Sequence, residues 1–252
     1  MIVIKTEEEI AKMQEAGKIL ANVHKGIKKM IKPGITTMEI EEFVKDYLAE
    51  HGASAEQIGY MGYKYATCAS INDEICHGFP RHEPLQNGDL VTIDMVVNLD
   101  GWLADSAWSY AVGEVSEDVS RLMEVTKKAL YIGIEKAQVG NRLGDIGSAI
   151  QDYVESEGYS VVREFVGHGI GQDMHEDPQV LHYGIPGRGL RLSEGMTLTI
   201  EPMVNQGDYR LTIDEDGWTA RTLDGSLSCQ YEHTLAITKD GPIIITDQGE
   251  ED

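Results

Sequence analysis

LQNGDLVTIDMVVN at residues 85–98 returns 107 positions later as LSEGMTLTIEPMVN at residues 192–205. Leu, Gly, Thr, Ile, Val and Asn recur at matching places, and the tenth place holds an acid both times, Asp94 and then Glu201. Each phrase has the β-branched, apolar composition of a buried strand. A buried carboxylate is costly unless something compensates it. Two of them at the same place in the same phrase call for a common reason.

A second echo sits upstream of the first. Residues 34–52, GITTMEIEEFVKDYLAEHG, and residues 140–158, GNRLGDIGSAIQDYVESEG, are offset by 106. The apolar face Ile40, Phe43, Val44, Tyr47, Leu48 becomes Ile146, Ala149, Ile150, Tyr153, Val154. Two segments that repeat in the same order and at nearly the same offset imply two similar halves about a pseudo-two-fold axis, roughly 1–113 and 114–252. The period is too long and the copies too few for a solenoid. Thr6 with Glu9 predicts a capping box ahead of a first helix that ends before Pro33-Gly34. A second helix is predicted over 37–50, stopped by Gly52. Strands are predicted over 90–98, 106–112, 159–166, 197–204 and 233–238, with turns at 98–101 and 214–217 that favour antiparallel hairpins. The class is α+β. One catalytic domain over residues 1–252 is expected, with 246–252 a flexible acidic tail.

Lys and Arg number 21 against 43 Asp and Glu, a formal net charge of −22. Direct nucleic-acid binding is therefore not expected, because it needs a basic footprint. No apolar run is long enough to span a membrane, and the first residues lack the pattern of a signal peptide. Cys68, Cys76 and Cys229 form an odd set without a C-x-x-C pair, which suits a reducing, cytoplasmic setting.

A further acid follows each repeated phrase. Asp105 enters an apolar run after Asp94, and Glu232 does so after Glu201, with about 20 more residues between the acids in the second half. Four carboxylates around one axis would repel, and a pair of divalent cations removes that difficulty. Pseudo-symmetry then suggests that one corresponding pair bridges two metals while the other holds one metal each. The alternative, strand-capping or Arg-paired acids, suits one such residue better than four in echoing contexts. GHGIGQDMHEDP at 167–178 adds His168 and His175, and ICHGFP adds His77. Imidazole supplies a neutral nitrogen ligand or a proton-transfer group. Carboxylates plus His favour Mn(II), Fe(II), Co(II) or Zn(II). Zincin, nucleophile-elbow and Walker motifs are absent.

Asp94, Asp105, His168, Glu201 and Glu232, within TIDM, DGWLADSA, GHGIGQDMHEDP, TIEPMVN and YEHT, resemble the five-ligand site of type I methionine aminopeptidases. The resemblance spans nearly the whole chain. It implies the pita-bread fold around a dimetal centre. It implies removal of the N-terminal methionine from nascent polypeptides, as at the ribosome, with a small second residue preferred. A monomer is expected. In that family Asp94 would hold one metal, Asp105 and Glu232 would bridge, and His168 and Glu201 would hold the other. Glu201 would also serve in proton transfer. His77 and His175 would contact substrate, and Tyr60, Tyr63, Cys68, Met174 and Trp218 would line the methionine pocket. Gln57 stands where the family often has Cys, and Met174 where an aromatic is common. The rival readings are a proline-specific peptidase on the same fold, a metal-free peptide binder, and a repeat that serves packing alone.

Overall fold

The computed structural model describes residues 1–249. Four helices carry the two halves: α1 (Glu7–Met30) and α2 (Thr37–Glu50), then α3 (Glu117–Lys136) and α4 (Leu143–Ser156). Their starts follow from local chemistry. Thr6 Oγ1 accepts from Glu9 N at 3.3 Å while Glu9 Oε2 accepts from Thr6 N at 2.7 Å. Thr36 and Glu39 repeat this box at 3.1 and 2.8 Å. At α4 the acid's half survives, with Asp145 Oδ2 accepting from Arg142 N at 2.7 Å. Gly52 and Gly158, both with positive φ, follow the ends of α2 and α4.

The repeat reaches into the packing. A Cβ on Gly26 of α1 would lie 2.4 Å from the ring of Phe43 in α2. A Cβ on Gly133 of α3 would lie 2.6 Å from Ile150 in α4. The glycine recurs 107 residues later, and its partner Ile150 is the counterpart of Val44, the neighbour of Phe43. Each half also has its own large apolar cluster. One is built on Met13, Leu20, Ile40, Ile93 and Met95, the other on Leu122, Leu130, Ile150, Leu198 and Leu235. Trp108 packs against both.

The strand Leu90–Leu99 pairs along its whole length with Trp102–Ala111. Asp100 and Gly101, with φ of 52° and 83°, form the two-residue turn between them. In the second half Thr197–Ile200 pairs with His233–Thr238, and Met203–Asn205 with Ser228–Gln230. Both ladders keep one register, and it breaks at Glu201-Pro202, because Pro has no N–H to donate. Ser106 Oγ donates to Glu232 O at 2.8 Å, and Ser109 Oγ to Gln230 O at 2.7 Å. These bonds stitch the two halves together.

The bounds of α1 and α2, both turns and the strand at 233–238 agree with the sequence reading, which named no helix over 117–136. Of the run 159–166 only Ser160–Val161 is strand, and 197–204 is split at Glu201. The strand expected to start at 106 starts at Trp102, so Asp105 lies inside it. The tail begins later than 246. Thr246 is fully buried and bonds His233 Nδ1 at 2.7 Å and Thr234 N at 3.1 Å, while residues 250–252 lie outside the described part.

The extra residues of the second half form the hairpin Leu211–Ile213/Ala220–Thr222, which adds to the first-half strand Glu74–Cys76. Arg221 fastens it there. It donates to Asp214 Oδ2 at 2.8 Å, Asp73 Oδ1 at 2.7 Å and Glu74 Oε1 at 2.8 Å.

Gly17 of α1 meets backbone instead of a side chain, since a Cβ there would lie 2.0 Å from Ile245 O. Gly17→Ala should cost about 2–3 kcal/mol through forced backbone movement. At Gly26→Ala the Phe43 ring can swing aside, and the gain of roughly 1 kcal/mol in helix propensity offsets the crowding. Urea unfolding of the two variants should therefore differ clearly; equal losses would contradict this picture of the packing.

Candidate metal centre

The register of the first hairpin dictates where its acids point. Asp94 pairs with Ala107 and Val96 with Asp105, so both carboxylates lie on one face as diagonal neighbours. In the second half Ile200 pairs with His233 and Met203 with Gln230. The same register sets Glu201 directly opposite Glu232. The two pairs are thus related but not identical, diagonal in one half and face to face in the other. Glu232 N donates to Ala107 O at 2.8 Å, which brings the second pair against the first.

His168 arrives on the short strand Gly167–Gly169, held between Glu176–Val180 and Thr197–Ile200. The flanking glycines make that possible. A Cβ on Gly167 would lie 2.5 Å from Thr199 O, and one on Gly169 2.2 Å from Asp177 O. His168 Nδ1 donates to Gly169 O at 2.9 Å. The carbonyl can only accept, so Nε2 is left to face Asp105 Oδ2 and Glu201 Oε1, each at 3.5 Å.

Ligand atoms of Asp105, His168 and Glu232 all lie within 4.8 Å of one another, and all three residues are buried. Asp105 Oδ1 and Glu232 Oε1 are buried without a hydrogen-bond partner. Burial first, and the neighbouring Asp105 next, push the Asp94 and Glu232 carboxyls well above the usual carboxylate range. Burial also raises Glu201, to about 7. Burial alone would lower His168, but its bond to Asp105 and the charge of Glu201 carry it up to about 9. By themselves Asp94, Glu201 and Glu232 are thus pushed toward their protonated forms. The orphaned oxygens and the Nε2 turned toward the acids fit divalent cations, whose charge and vacant orbitals satisfy all of them together.

Partners outside the five were not legible in the sequence. Thr199 Oγ1 donates to Glu201 Oε1 at 2.8 Å and accepts from His168 N at 3.0 Å. Thr234 Oγ1 accepts from Asp105 N at 3.0 Å and donates to Asp105 O at 2.8 Å. Glu201 N, which loses its ladder partner at the break, donates to the buried His182 Nε2 at 3.0 Å. The only signal for the two threonines was their place beside the acids in TIEP and EHT.

The five groups lie in a cavity of about 300 Å³ that is also lined by Gln57, Tyr60, Tyr63, Cys68, His77, Phe165, Met174, His175 and Trp218. Every residue expected at the site is therefore in one place. His77 has a φ of 60°, an unusual backbone for a residue with a side chain, and its ring stands edge-on to Phe165 at 5.0 Å. Burial, then the neighbouring His175, lowers His77 to about 4. His175 stands exposed at the mouth, 4.4 Å from His168 between ring centres. Partial desolvation of its ring and the His168 charge lower it too, and Tyr60 Oη lies 2.8 Å from its Nδ1. The loop that bears it is pinned by a buried ion pair between Lys5 and Glu176. A larger concavity of about 870 Å³, lined by Lys25, Trp108, Lys127 and Tyr131, holds none of the five groups.

Comparison with known proteins agrees with this chemistry. Residues 11–239 match the model of metallopeptidase family M24. The chain is 48% identical over 246 residues to methionine aminopeptidase 1 of Bacillus subtilis (strain 168), covering 98% of this chain and 99% of that one. The crystal structure of methionine aminopeptidase from Rickettsia prowazekii superposes with a TM-score of 0.97 at 46% identity, over 98% of this chain and all of that one. The prolidase of Pyrococcus furiosus shares the fold, with a TM-score of 0.79 at 22% identity over 98% of this chain and 66% of that one.

Chelation should expose the titration of the cluster. Raised carboxyl values mean that the folded chain keeps protons the unfolded chain has released, so stability falls as pH rises. His168, raised from 6.5 to about 9, adds the same slope across that interval. The depressed histidines, among them His77 at about 4 and His182 at about 3, act oppositely only below 6.5. The Tm of chelated protein should therefore drop between about pH 6.5 and 8.5, and a divalent cation should raise it most at the alkaline end. A flat profile by scanning calorimetry would contradict the assignment.

Proposed function

We infer the reaction from one premise: the chain belongs to metallopeptidase family M24 and, within it, to the methionine aminopeptidases. It is a metal-dependent peptidase, and the reaction is hydrolysis of the first peptide bond of chains that begin with methionine. We propose nascent polypeptides with a small second residue as its substrates, met in the cytoplasm and at the ribosome. The observation that carries this reading is the meeting of four carboxylates and one imidazole at one wall of a largely apolar cavity, with two carboxylate oxygens left unpaired.

Asp94 would hold one divalent cation, His168 and Glu201 a second, and Asp105 and Glu232 both. Mn(II), Fe(II), Co(II) or Zn(II) bound there would polarise the scissile carbonyl, orient the free α-amine and lower the pKa of the attacking water. The protein does the rest. Glu201, steadied by Thr199 Oγ1 and by Gln230 Nε2 at 3.4 Å, takes the proton from that water and returns it to the leaving amine. His77 and His175, kept neutral near pH 7, donate to the carbonyl oxygen and the following amide. Tyr63, Cys68, Met174 and Trp218 enclose the methionine side chain, and Tyr60 closes the mouth. The aromatic rings and Met174 suit a thioether. All these groups come from one chain, which supports a monomer built as a single domain. Among the described residues no helix is long and apolar enough to cross a membrane.

The proline-specific rival shares the fold alone. Met-Ala-Ser should be cleaved faster than Ala-Pro peptides; the reverse order would end this reading. EDTA should abolish the activity, and added Mn(II) or Co(II) should restore it. Asp105→Asn should lower kcat by roughly 10³-fold, the size of effect carried by loss of charge stabilisation at one centre. A variant that keeps native kcat, or activity that survives chelation, would remove the metals from the mechanism.

A further inference from the structure

We propose that Gln57 makes the pocket selective for a first residue bearing a lone pair, by donating a carboxamide N–H to the side-chain atom at the δ position. For methionine that atom is sulfur; in the isosteric norleucine it is a methylene. The inference rests on the reading that this cavity holds the first residue of the substrate.

The orientation of the amide is fixed by the sheet. The ladder between Ser54–Ala55 and Leu90–Leu99 ends with Glu56 N donating to Val96 O at 2.9 Å. Val96 N, on the same residue, has no backbone partner in that ladder and donates to Gln57 Oε1 at 2.9 Å. A backbone N–H can only donate, so the atom facing it must be the carbonyl oxygen. The amide nitrogen is thereby turned to the other side, where it lies 3.6 Å from Cys68 Sγ.

That nitrogen carries two hydrogens. One is directed at the thiol, a weak acceptor, and the second meets no acceptor among the described residues. Gln57 is 7% exposed, and Tyr63, Cys68, Val96, Phe165 and Trp218 are among the residues that line the cavity with it. A buried donor without an acceptor is unfavourable, and a ligand that brings a lone pair relieves it. Sites built this way reject analogues that lack the acceptor more strongly than apolar pockets reject a change of size. The sulfur of a thioether accepts weakly, so the discrimination should be modest. The oxygen of a sulfoxide accepts well, so a chain beginning with oxidised methionine gains more from the same N–H.

The test compares kcat/KM for Met-Ala-Ser, norleucine-Ala-Ser and methionine-sulfoxide-Ala-Ser. It uses the Mn(II)-loaded native enzyme and the variants Gln57→Leu and Gln57→Met. Ratios between substrates on one preparation do not depend on how much of it is folded, and two variants of different shape separate loss of the donor from loss of packing. The native enzyme should favour methionine over norleucine by roughly three- to tenfold, the worth of one neutral hydrogen bond. Both variants should bring that ratio close to one and should lose more on the sulfoxide peptide than on the methionine peptide. Ratios unchanged in both variants would overturn the role given to Gln57. Failure of the native enzyme to cleave any of the three would instead overturn the aminopeptidase reading on which it rests.

Discussion

Like charges buried together are the constraint on which the rest of this structure depends. Glu201 and Glu232 face each other across a ladder, and Asp94 and Asp105 lie diagonally on the neighbouring one. Such an arrangement opposes folding unless cations enter it. The surroundings read as a frame built to bear that repulsion. Two apolar clusters hold the hairpins from outside, and Ser106, Ser109 and Thr234 cross-link them from inside. The frame supplies the rigidity that lets a preformed site wait for its metals.

Duplication is an economical way to build such a frame. One strand phrase delivers one acid to an axis, and its copy delivers another from the opposite side. The glycine contacts Gly26–Phe43 and Gly133–Ile150 show that the helices behind the strands follow the same plan. His168 has no counterpart in that plan. It comes on a separate strand, squeezed between two others by its flanking glycines, and it gives the acid cluster a nitrogen donor on one side only.

Much of this was legible in the sequence because repeated phrases carry their own register. The spacing of Asp94, Asp105, Glu201 and Glu232 within strand-like runs located the acids, and the Thr6–Glu9 capping box, Gly52 and the echo at 140–158 located α1, α2 and α4. The rest depended on contacts between segments far apart in the chain. Pro202 signals a break in the strand, but nothing in the local sequence tells that His182 receives the freed N–H of Glu201. The run 159–166 has the composition of a strand, yet only two of its residues find a partner. Thr246 sits in a polar, acidic stretch, and only the folded chain shows that its hydroxyl is buried against His233 and Thr234.

The hairpin inserted between the two acids of the second half has a further consequence. It crosses to the first half, is clamped there by Arg221, and carries Trp218 to within 4.9 Å of the Tyr63 ring and 6.3 Å of the His77 ring. The symmetric part of the molecule has two equivalent sides and by itself gives a peptide no preferred direction. A polypeptide, however, has a beginning and an end. The insertion adds a wall residue, Trp218, that the symmetric halves do not supply. The inserted hairpin therefore makes the two sides of the cavity unlike, and a chain held there meets Trp218 on one side alone.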